Sequence, residues 1–355
     1  MKSIFLAAIL FTVHPVVPPP EGPPDLLAMT WNLENFFDWR NDSLSVSDAE
    51  FSSVGIRHWT QRRFLSKCQL ISKMIFFVAS EEGRLPDVVA FQEVENGFVL
   101  RQLIQKTLLR KAGYRYIHYD SPDPRGIDVA ILYRPASLAL RGSRAVKVEK
   151  DAAGGPMLTR DILEAGFRTE AVWPDGEGKP LSFSFIACHL PSKFGGEKAS
   201  FPKRLAVAET LCSVMDSAAV SGVPVVAAGD FNDTPSSRAL EPVSKSAERI
   251  PSGEGPPGTI RYDGTWETID MFFVTRDLAP SCRKVRAVMA PFLSVKDASH
   301  PGRKPLRTYS GPRNLGGVSD HLPVLLRIYA APKSDSASKT RSTAEDALDM
   351  EAPVR

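Results

Sequence analysis

Apolar positions along this chain follow two rhythms, and their order predicts the architecture. Leu26–Phe37 (LLAMTWNLENFF) is a nearly unbroken apolar run that closes on polar residues, the pattern of a buried strand. Between Thr60 and Ser80, Phe64, Leu65, Cys68, Ile71, Ile75 and Val78 recur at helical spacing, with Thr60 placed to cap the start and Gly83 to end it. A strand is predicted over Asp87–Phe91, then a helix over Phe98–Lys111, capped by Asn96 and stopped at Gly113. From Tyr114 the rhythm shortens. Strands are predicted at Tyr114–Tyr119, Asp128–Arg134, Ala145–Glu149, Asp161–Trp173 and Leu181–His189, before a helix at Lys198–Ala218 and a strand at Val223–Gly229. Further strands fit Thr265–Thr275, Val285–Met289 and Leu322–Ala330, while Asn41–Gly55 and Ser252–Gly258 read as loops. Helical stretches interrupting runs of antiparallel strands predict an α/β domain of stacked sheets flanked by helices, not a purely parallel sheet.

Composition narrows this picture without redirecting it. The chain has 355 residues, 43% hydrophobic and 24% charged, enough apolar material for a sizeable core. A formal charge of +3 is too slight to argue for nucleic acid by itself. Cys68, Cys188, Cys212 and Cys282 lie far apart in apolar or helical surroundings, which favours small core residues over a disulfide framework or zinc site. Ile4–Val13 is apolar, too short to span a bilayer, and preceded by Lys2. It fits a signal peptide or anchor and predicts export, although no clean cleavage site follows. The expected organisation is therefore residues 1–25 as leader and Pro-rich spacer, 26–330 as one catalytic domain, and 331–355 as a disordered polar tail.

Candidate chemistry gathers where apolar runs end. The clusters are Trp31–Asn35 (WNLEN), Gln92–Glu95 (QEVE), Cys188–Lys193 (CHLPSK), Gly229–Asn232 (GDFN) and Ser319–Pro323 (SDHLP), with Asp270 inside the apolar stretch TIDMF. Each ends in a group able to handle protons, phosphate or metal, and a lone carboxylate at Asp270 would be costly without a partner. On an extended chain Asp230 and Asn232 project to one side, as do Asn32 and Glu34. Taken singly, each cluster has a plainer reading. Asp230 and Asn232 can form an Asx turn, His189 can be a satisfied core histidine, and Glu95 suits a helix start. His58 and Trp59, beside Arg57, Arg62 and Arg63, read as a solvated basic helix entrance, and His118 and His300 as surface or loop residues.

In this order, WN…QE…H…GDxN…D…SDH, the clusters resemble the endonuclease/exonuclease/phosphatase superfamily over roughly Leu26–Tyr329. That superfamily includes pancreatic-type deoxyribonucleases, abasic-site endonucleases, inositol polyphosphate 5-phosphatases and bacterial neutral sphingomyelinases. The stretches GIRHWTQRRF, SPDPRGIDVAILYR and PLRTYSGPRNLGGVSDHLPV look more like a bacterial, exported branch. The resemblance implies a four-layer α/β sandwich, two packed mixed sheets with helices outside. It implies Glu93 as principal metal carboxylate, aided by Asn32, Asp320 and Glu34, for Mg²⁺ or else Mn²⁺ or Ca²⁺. It implies His321 beside the scissile phosphate with Asp270 on its other ring nitrogen, and Asp230 and Asn232 positioning water or phosphoryl oxygens. His189 matches a second histidine, Asp128 lies near the position of a carboxylate that supports it, and Arg160 resembles a contact to substrate phosphate; Lys193, four residues after His189 in a loop, is expected to reach substrate phosphate as well. Arg307 and Tyr309, in the loop before Asp320, are expected to shape the substrate site.

The implied reaction is in-line hydrolysis of a phosphodiester or phosphomonoester by water. A basic C-terminal third (Arg283, Lys284, Arg286, Lys296, Arg303, Lys304, Arg307 and Arg313) favours nucleic acid as substrate over lipid or inositol phosphate. The alternatives are a lipid or inositol phosphate hydrolase, and a catalytically inactive binding module. No obligate protein partner is indicated, and a monomer is expected.

Overall fold

A computed structural model describes residues 23–41, 45–173 and 178–330; the predicted leader and tail lie largely outside them. Two sheets carry the domain. The seven-stranded sheet runs, from edge to edge, Ser252–Glu254, Val285–Ala287, Val324–Ile328, Leu26–Phe36, Val88–Val94, Asp128–Tyr133 and Arg115–His118. The six-stranded sheet runs Leu138–Val146, Ile162–Thr169, Ser182–His189, Val225–Asp230, Asp270–Val274 and Glu248–Arg249. Both are mixed: Leu26–Phe36 is parallel to Val88–Val94 but antiparallel to Val324–Ile328. Likewise Ser182–His189 is parallel to Val225–Asp230, which is antiparallel to Asp270–Val274.

Side-chain alternation explains the layering. On the first strand Leu27, Met29, Trp31 and Leu33 pack outward against Phe64, Ile71 and Ile75 of the helix Gln61–Glu82. Leu26 and Ala28 point the other way, into an inner core shared with Phe185, Val226, Ala228 and Phe272 of the second sheet. Val225, Ala227 and Phe273 face a third cluster with Val207, Leu211 and Met215 of the helix Glu197–Val220. The order is helix, sheet, sheet, helix, the four-layer sandwich expected. Among the described residues no helix is long and apolar enough to cross a membrane.

Several element boundaries differ from the sequence reading. The predicted helix Phe98–Lys111 is two, Gly97–Gln105 and Leu109–Ala112; between them the Thr107 hydroxyl donates to the Leu103 carbonyl and accepts from the Leu109 amide. The Asn41–Gly55 loop contains a short helix, Val46–Glu50, capped by Ser45. The strand predicted at Ala145–Glu149 begins earlier, at Leu138, and was masked by its exposed polar face at the sheet edge. Thr265–Thr275 is broken into Thr265–Glu267 and Asp270–Val274, because the first piece folds back as a hairpin on Ile260–Tyr262.

Candidate active site

The inner faces of the two sheets bring the polar residues together. Asn32 follows Leu26, Ala28 and Thr30 at the spacing of two, and Asp230 follows Val226 and Ala228. Asp270 and His189 continue the inner rows of their own strands, which lie on either side of Asp230 in register: Asp270 pairs opposite Asp230, and His189 beside it. Gly229 permits this crowding, since a β-carbon there would meet the Cys188 carbonyl oxygen at 2.0 Å. Across the gap between sheets, the Asn32 Nδ2 donates to Asp230 Oδ2 at 3.0 Å.

His321 arrives from the loop before the strand Val324–Ile328. Its backbone amide donates to the Ser319 hydroxyl, which itself donates to the Asn32 carbonyl, and the Trp31 indole donates to the His321 carbonyl. These bonds staple the loop to the first strand. His321 Nδ1 lies 2.9 Å from Asp270 Oδ2, leaving Nε2 3.8 Å from Asp230 Oδ2. The backbone of Asp270 is held in turn by the Thr259 hydroxyl. Burial pulls the His321 pKa down, but Asp270 and Asp230 outweigh it and hold the imidazole well above the usual histidine range. Asp230, pushed up by burial and by Asp270 against the pull of His321, reaches about 7.

His189 is the counterpart with the opposite sign. Its Nε2 lies 3.5 Å from Asp230 Oδ2, while its buried Nδ1 has no hydrogen-bond partner. Burial, then Arg160, Arg125 and His321, depress its pKa well below the ordinary value, so it is neutral at pH 7. The carboxylate expected to support it is engaged elsewhere: Asp128 Oδ2 lies 3.0 Å from His118 Nε2, and its other oxygen accepts from the Ser121 amide. Asp128 starts a strand of the other sheet, where His118 is on the neighbouring strand.

A second group forms where the first two strands lose register. Asn32 pairs with Gln92 and Phe36 with Val94, so the intervening residues bulge, and Glu34, Asn35 and Glu93 adopt φ of 49°, 55° and 61°. Alternation alone would aim Glu93 outward with Val89 and Phe91; the bulge turns it back. Its oxygens accept from the Asn35 amide at 2.7 Å and from Arg125 at 3.1 Å. The same bulge removes the simple two-residue argument for Glu34. Its carboxylate accepts from Arg307 and from the Thr308 amide, and Arg307 bridges to Asp320 at 3.0 Å. Burial and Asp320 push Glu34 up to about 7, against Arg307 and Lys67.

The convergence of Asp230 and Asn232 also has a different cause from strand alternation. The strand ends at Asp230, Asn232 has φ 48°, and its amide donates to Asp230 Oδ1 at 2.8 Å. An Asx turn therefore builds the site rather than competing with it. The Asn232 carboxamide donates to the Leu190 carbonyl, which also accepts from Arg160. Arg160 is buried and paired with Asp123 at 2.8 Å, so it braces the site's edge. Lys193 is bound into an ion pair with Asp233 at 2.9 Å and a second with Glu197. Tyr309 does not face the metal residues; it is buried against Phe51 and Trp59, with its hydroxyl donating to the Arg57 carbonyl. Glu95 accepts from the Asp38 amide.

Residues without an assigned role in the sequence reading complete the picture. Arg125 bonds both Glu93 and Asn35, and Asp123 holds Arg125 and Arg160 together. Lys67 donates to the Glu34 carbonyl and the Thr308 hydroxyl, with its pKa lowered to about 8 by burial despite Glu34 and Glu93. Its signal was visible: a lysine three residues after Phe64 on an otherwise apolar helix face.

The donor set suits a hard divalent cation. Glu93, Glu34, Asp320 and Asn32 offer oxygen, and Glu34, raised first by burial and then by Asp320, is a carboxyl whose ionised form a cation would favour. Arg125 and Arg307 balance that charge here, and these three carboxylates do not bring their oxygens within 4.8 Å of one another. Among the described residues, the groups that do are Asp230–Asp270–His321 and His118–Asp120–Asp128. Mg²⁺ usually keeps several waters, so one or two protein carboxylates suffice.

Comparison with known proteins bears on family and fold. Residues 27–330 match the model of the Endonuclease/Exonuclease/phosphatase family. No curated protein matches the chain by sequence. Among solved structures, the fold is similar to the mannosyl-6-phosphatase of Bacteroides thetaiotaomicron VPI-5482, at TM-score 0.54 and 18% identity over 85% of this chain and 98% of that one. It is also similar to beta toxin from Staphylococcus aureus with bound magnesium ions, at TM-score 0.53 and 15% identity over 86% and 99%. The human nocturnin catalytic domain with bound sulfate aligns at TM-score 0.51 and 17% identity, over 86% and 94%.

Proposed function

The chain belongs to the endonuclease/exonuclease/phosphatase family, whose members are divalent-metal-dependent phosphoester hydrolases, and from that membership we propose that it hydrolyses phosphodiester bonds of nucleic acid by in-line attack of water. The observation that carries the chemistry is the contact of His321 with Asp270 on one nitrogen while the other faces Asp230. The buried imidazolium is placed to stabilise a phosphoryl oxygen and donate a proton to the leaving oxygen. Asp230, poised near neutrality and oriented by Asn32 and by the Asn232 amide, accepts the proton of the attacking water. Neutral His189 lends its Nε2 to a phosphoryl oxygen, and Asn232 fixes the turn beneath it. A divalent cation held by Glu93 with Asn32, Glu34 and Asp320 would supply neutralisation of the charge developing on phosphate.

The basic C-terminal third supports the nucleic-acid reading less than its composition promises. Arg286 is paired with Glu81 and Glu82, Lys304 with Asp297, and Arg307 with Glu34 and Asp320. That pairing favours a second reading, a small phosphorylated head group such as an inositol or lipid phosphate. The deciding experiment assays the purified chain against plasmid DNA, RNA, sphingomyelin and phosphoinositides with Mg²⁺, Mn²⁺ or Ca²⁺. Cleavage of DNA or RNA is expected. Turnover of only the lipid or inositol substrates would replace the nucleic-acid reading, and turnover of none would leave a binding module.

A further inference from the structure

An open cavity of about 550 Å³ lies beside Glu34, lined by His58, Arg62, Arg63, Lys67 and Thr308 and bounded by Gly316 and Gly317. No carboxylate lines it, whereas three cationic side chains do. It shares a wall with the site: the Thr308 amide donates to the Glu34 carboxylate at 2.8 Å, and the Thr308 hydroxyl accepts from Lys67 at 2.9 Å.

The charge there is not spent on protein partners in the ordinary way. The Arg62 side chain is exposed and makes no hydrogen bond or ion pair among the described residues. Arg63 donates to the carbonyls of Arg57 and His58, so its fork is oriented without an anion to neutralise it. Lys67 hydrogen-bonds only a carbonyl and a hydroxyl, while its charge is partly balanced by the nearby Glu34 and Glu93 carboxylates, so Arg62 and Arg63 are the cations without an anion. Gly317 keeps the opposite wall thin, since a β-carbon there would meet the Leu306 carbonyl oxygen at 1.8 Å. A larger cavity elsewhere, of about 620 Å³, has arginines too, but they are engaged: Arg286 by Glu81 and Glu82, Arg303 by Ser294, and Arg261 by backbone carbonyls.

We propose that the cavity beside Glu34 binds a second phosphate of the substrate whose scissile phosphate lies at the Asp230–His321 centre. The substrate then carries at least two phosphate groups, as a nucleotide backbone or a polyphosphorylated head group does. Planar guanidinium forks match phosphate geometry, and the unpaired Arg62 is the contact with most to gain. The assignment of the neighbouring phosphate as scissile rests on the phosphoesterase reading; the anion site rests on the cavity and its unpaired charge.

The test is isothermal titration of the full-length His321→Ala chain with Mg²⁺, which keeps the probes intact. The probes are a nucleoside 3′,5′-bisphosphate, an inositol bisphosphate and the matching monophosphates. At least one bisphosphate should bind about ten-fold more tightly than its monophosphate, the value of one charge-assisted contact. Adding Arg62→Glu should abolish that preference, and Arg62→Lys should retain part of it. Preference for the nucleoside probe identifies a nucleic-acid backbone as the source, and preference for the inositol probe a head group. If neither bisphosphate binds the His321→Ala chain more tightly than its monophosphate, or if the preference survives Arg62→Glu, the proposal is overturned. Arg62-dependent binding in a chain that turns over no phosphoester would keep the anion site and remove the phosphoesterase reading instead.

Discussion

Two buried imidazoles approach the same carboxylate from different sheets, and their environments give them opposite charge. His321, in the loop before a strand of the seven-stranded sheet, has Asp270 on its second nitrogen; His189, at the end of a strand in the six-stranded sheet, has nothing on its second nitrogen and arginines nearby. Burial pulls both pKa values down, so burial cannot be what separates them. A strand end delivers His189 to Asp230, and a stapled loop delivers His321. The groups around each ring decide whether it arrives charged.

The largest expected effect comes from removing the charged member. His321→Ala should lower kcat on a phosphodiester by about 10³–10⁴-fold with a small change in KM, as read from steady-state kinetics. Asp270→Asn, which keeps the shape but removes the anion, should cost about 10²–10³-fold and move the alkaline limb of the rate profile to lower pH. The sign follows from the shift: His321 is held above its ordinary range, so its charged form persists into alkaline solution, and losing Asp270 lowers that limit. The same shift gives stability that is complete below the unfolded histidine pKa and is lost as pH rises through the folded one. Denaturant titration across pH should show that dependence in the parent and a weaker one in Asp270→Asn.

His189→Ala removes a neutral donor and should cost about 10²-fold in kcat, without moving the alkaline limb. A shift of the limb in this variant would break the division between the two rings. The smallest effect is expected at the third imidazole. His118→Gln should change turnover by less than about 3-fold, because His118 and Asp128 pair with each other away from Asp230. A loss as large as that of His189→Ala would return Asp128 to the catalytic group.

The comparison also shows which parts of the structure could be read from the chain. Apolar period and capping residues such as Thr60 and Asn96 announced the helices and most strands, since burial on both sheet faces leaves long apolar runs. Asn32, His189, Asp230 and Asp270 were legible because they extend inner-facing rows of strands. Glu34, Glu93 and Asn232 were named for the right neighbourhood on an incomplete physical basis. Their carboxyl and amide groups are aimed by left-handed backbone at a bulge and an Asx turn, which alternation does not encode. Asp128 and Tyr309 lie apart from the groups they were expected to serve, and Lys193 is held by an ion pair, because partner choice depends on which residues the fold makes neighbours: His118, Phe51 and Asp233 are near only in space. Arg125 was hidden for the same reason, 32 positions from the Glu93 it binds.

The most direct test is a side-by-side measurement of plasmid cleavage in Mg²⁺ by the parent chain, Glu93→Gln and His321→Ala. The parent should cleave, chelation should abolish cleavage, and each substitution should lower it by at least about 10²-fold while circular dichroism and melting stay near parental. Cleavage that persisted in both variants at the parental rate would contradict a centre built from Glu93 and His321.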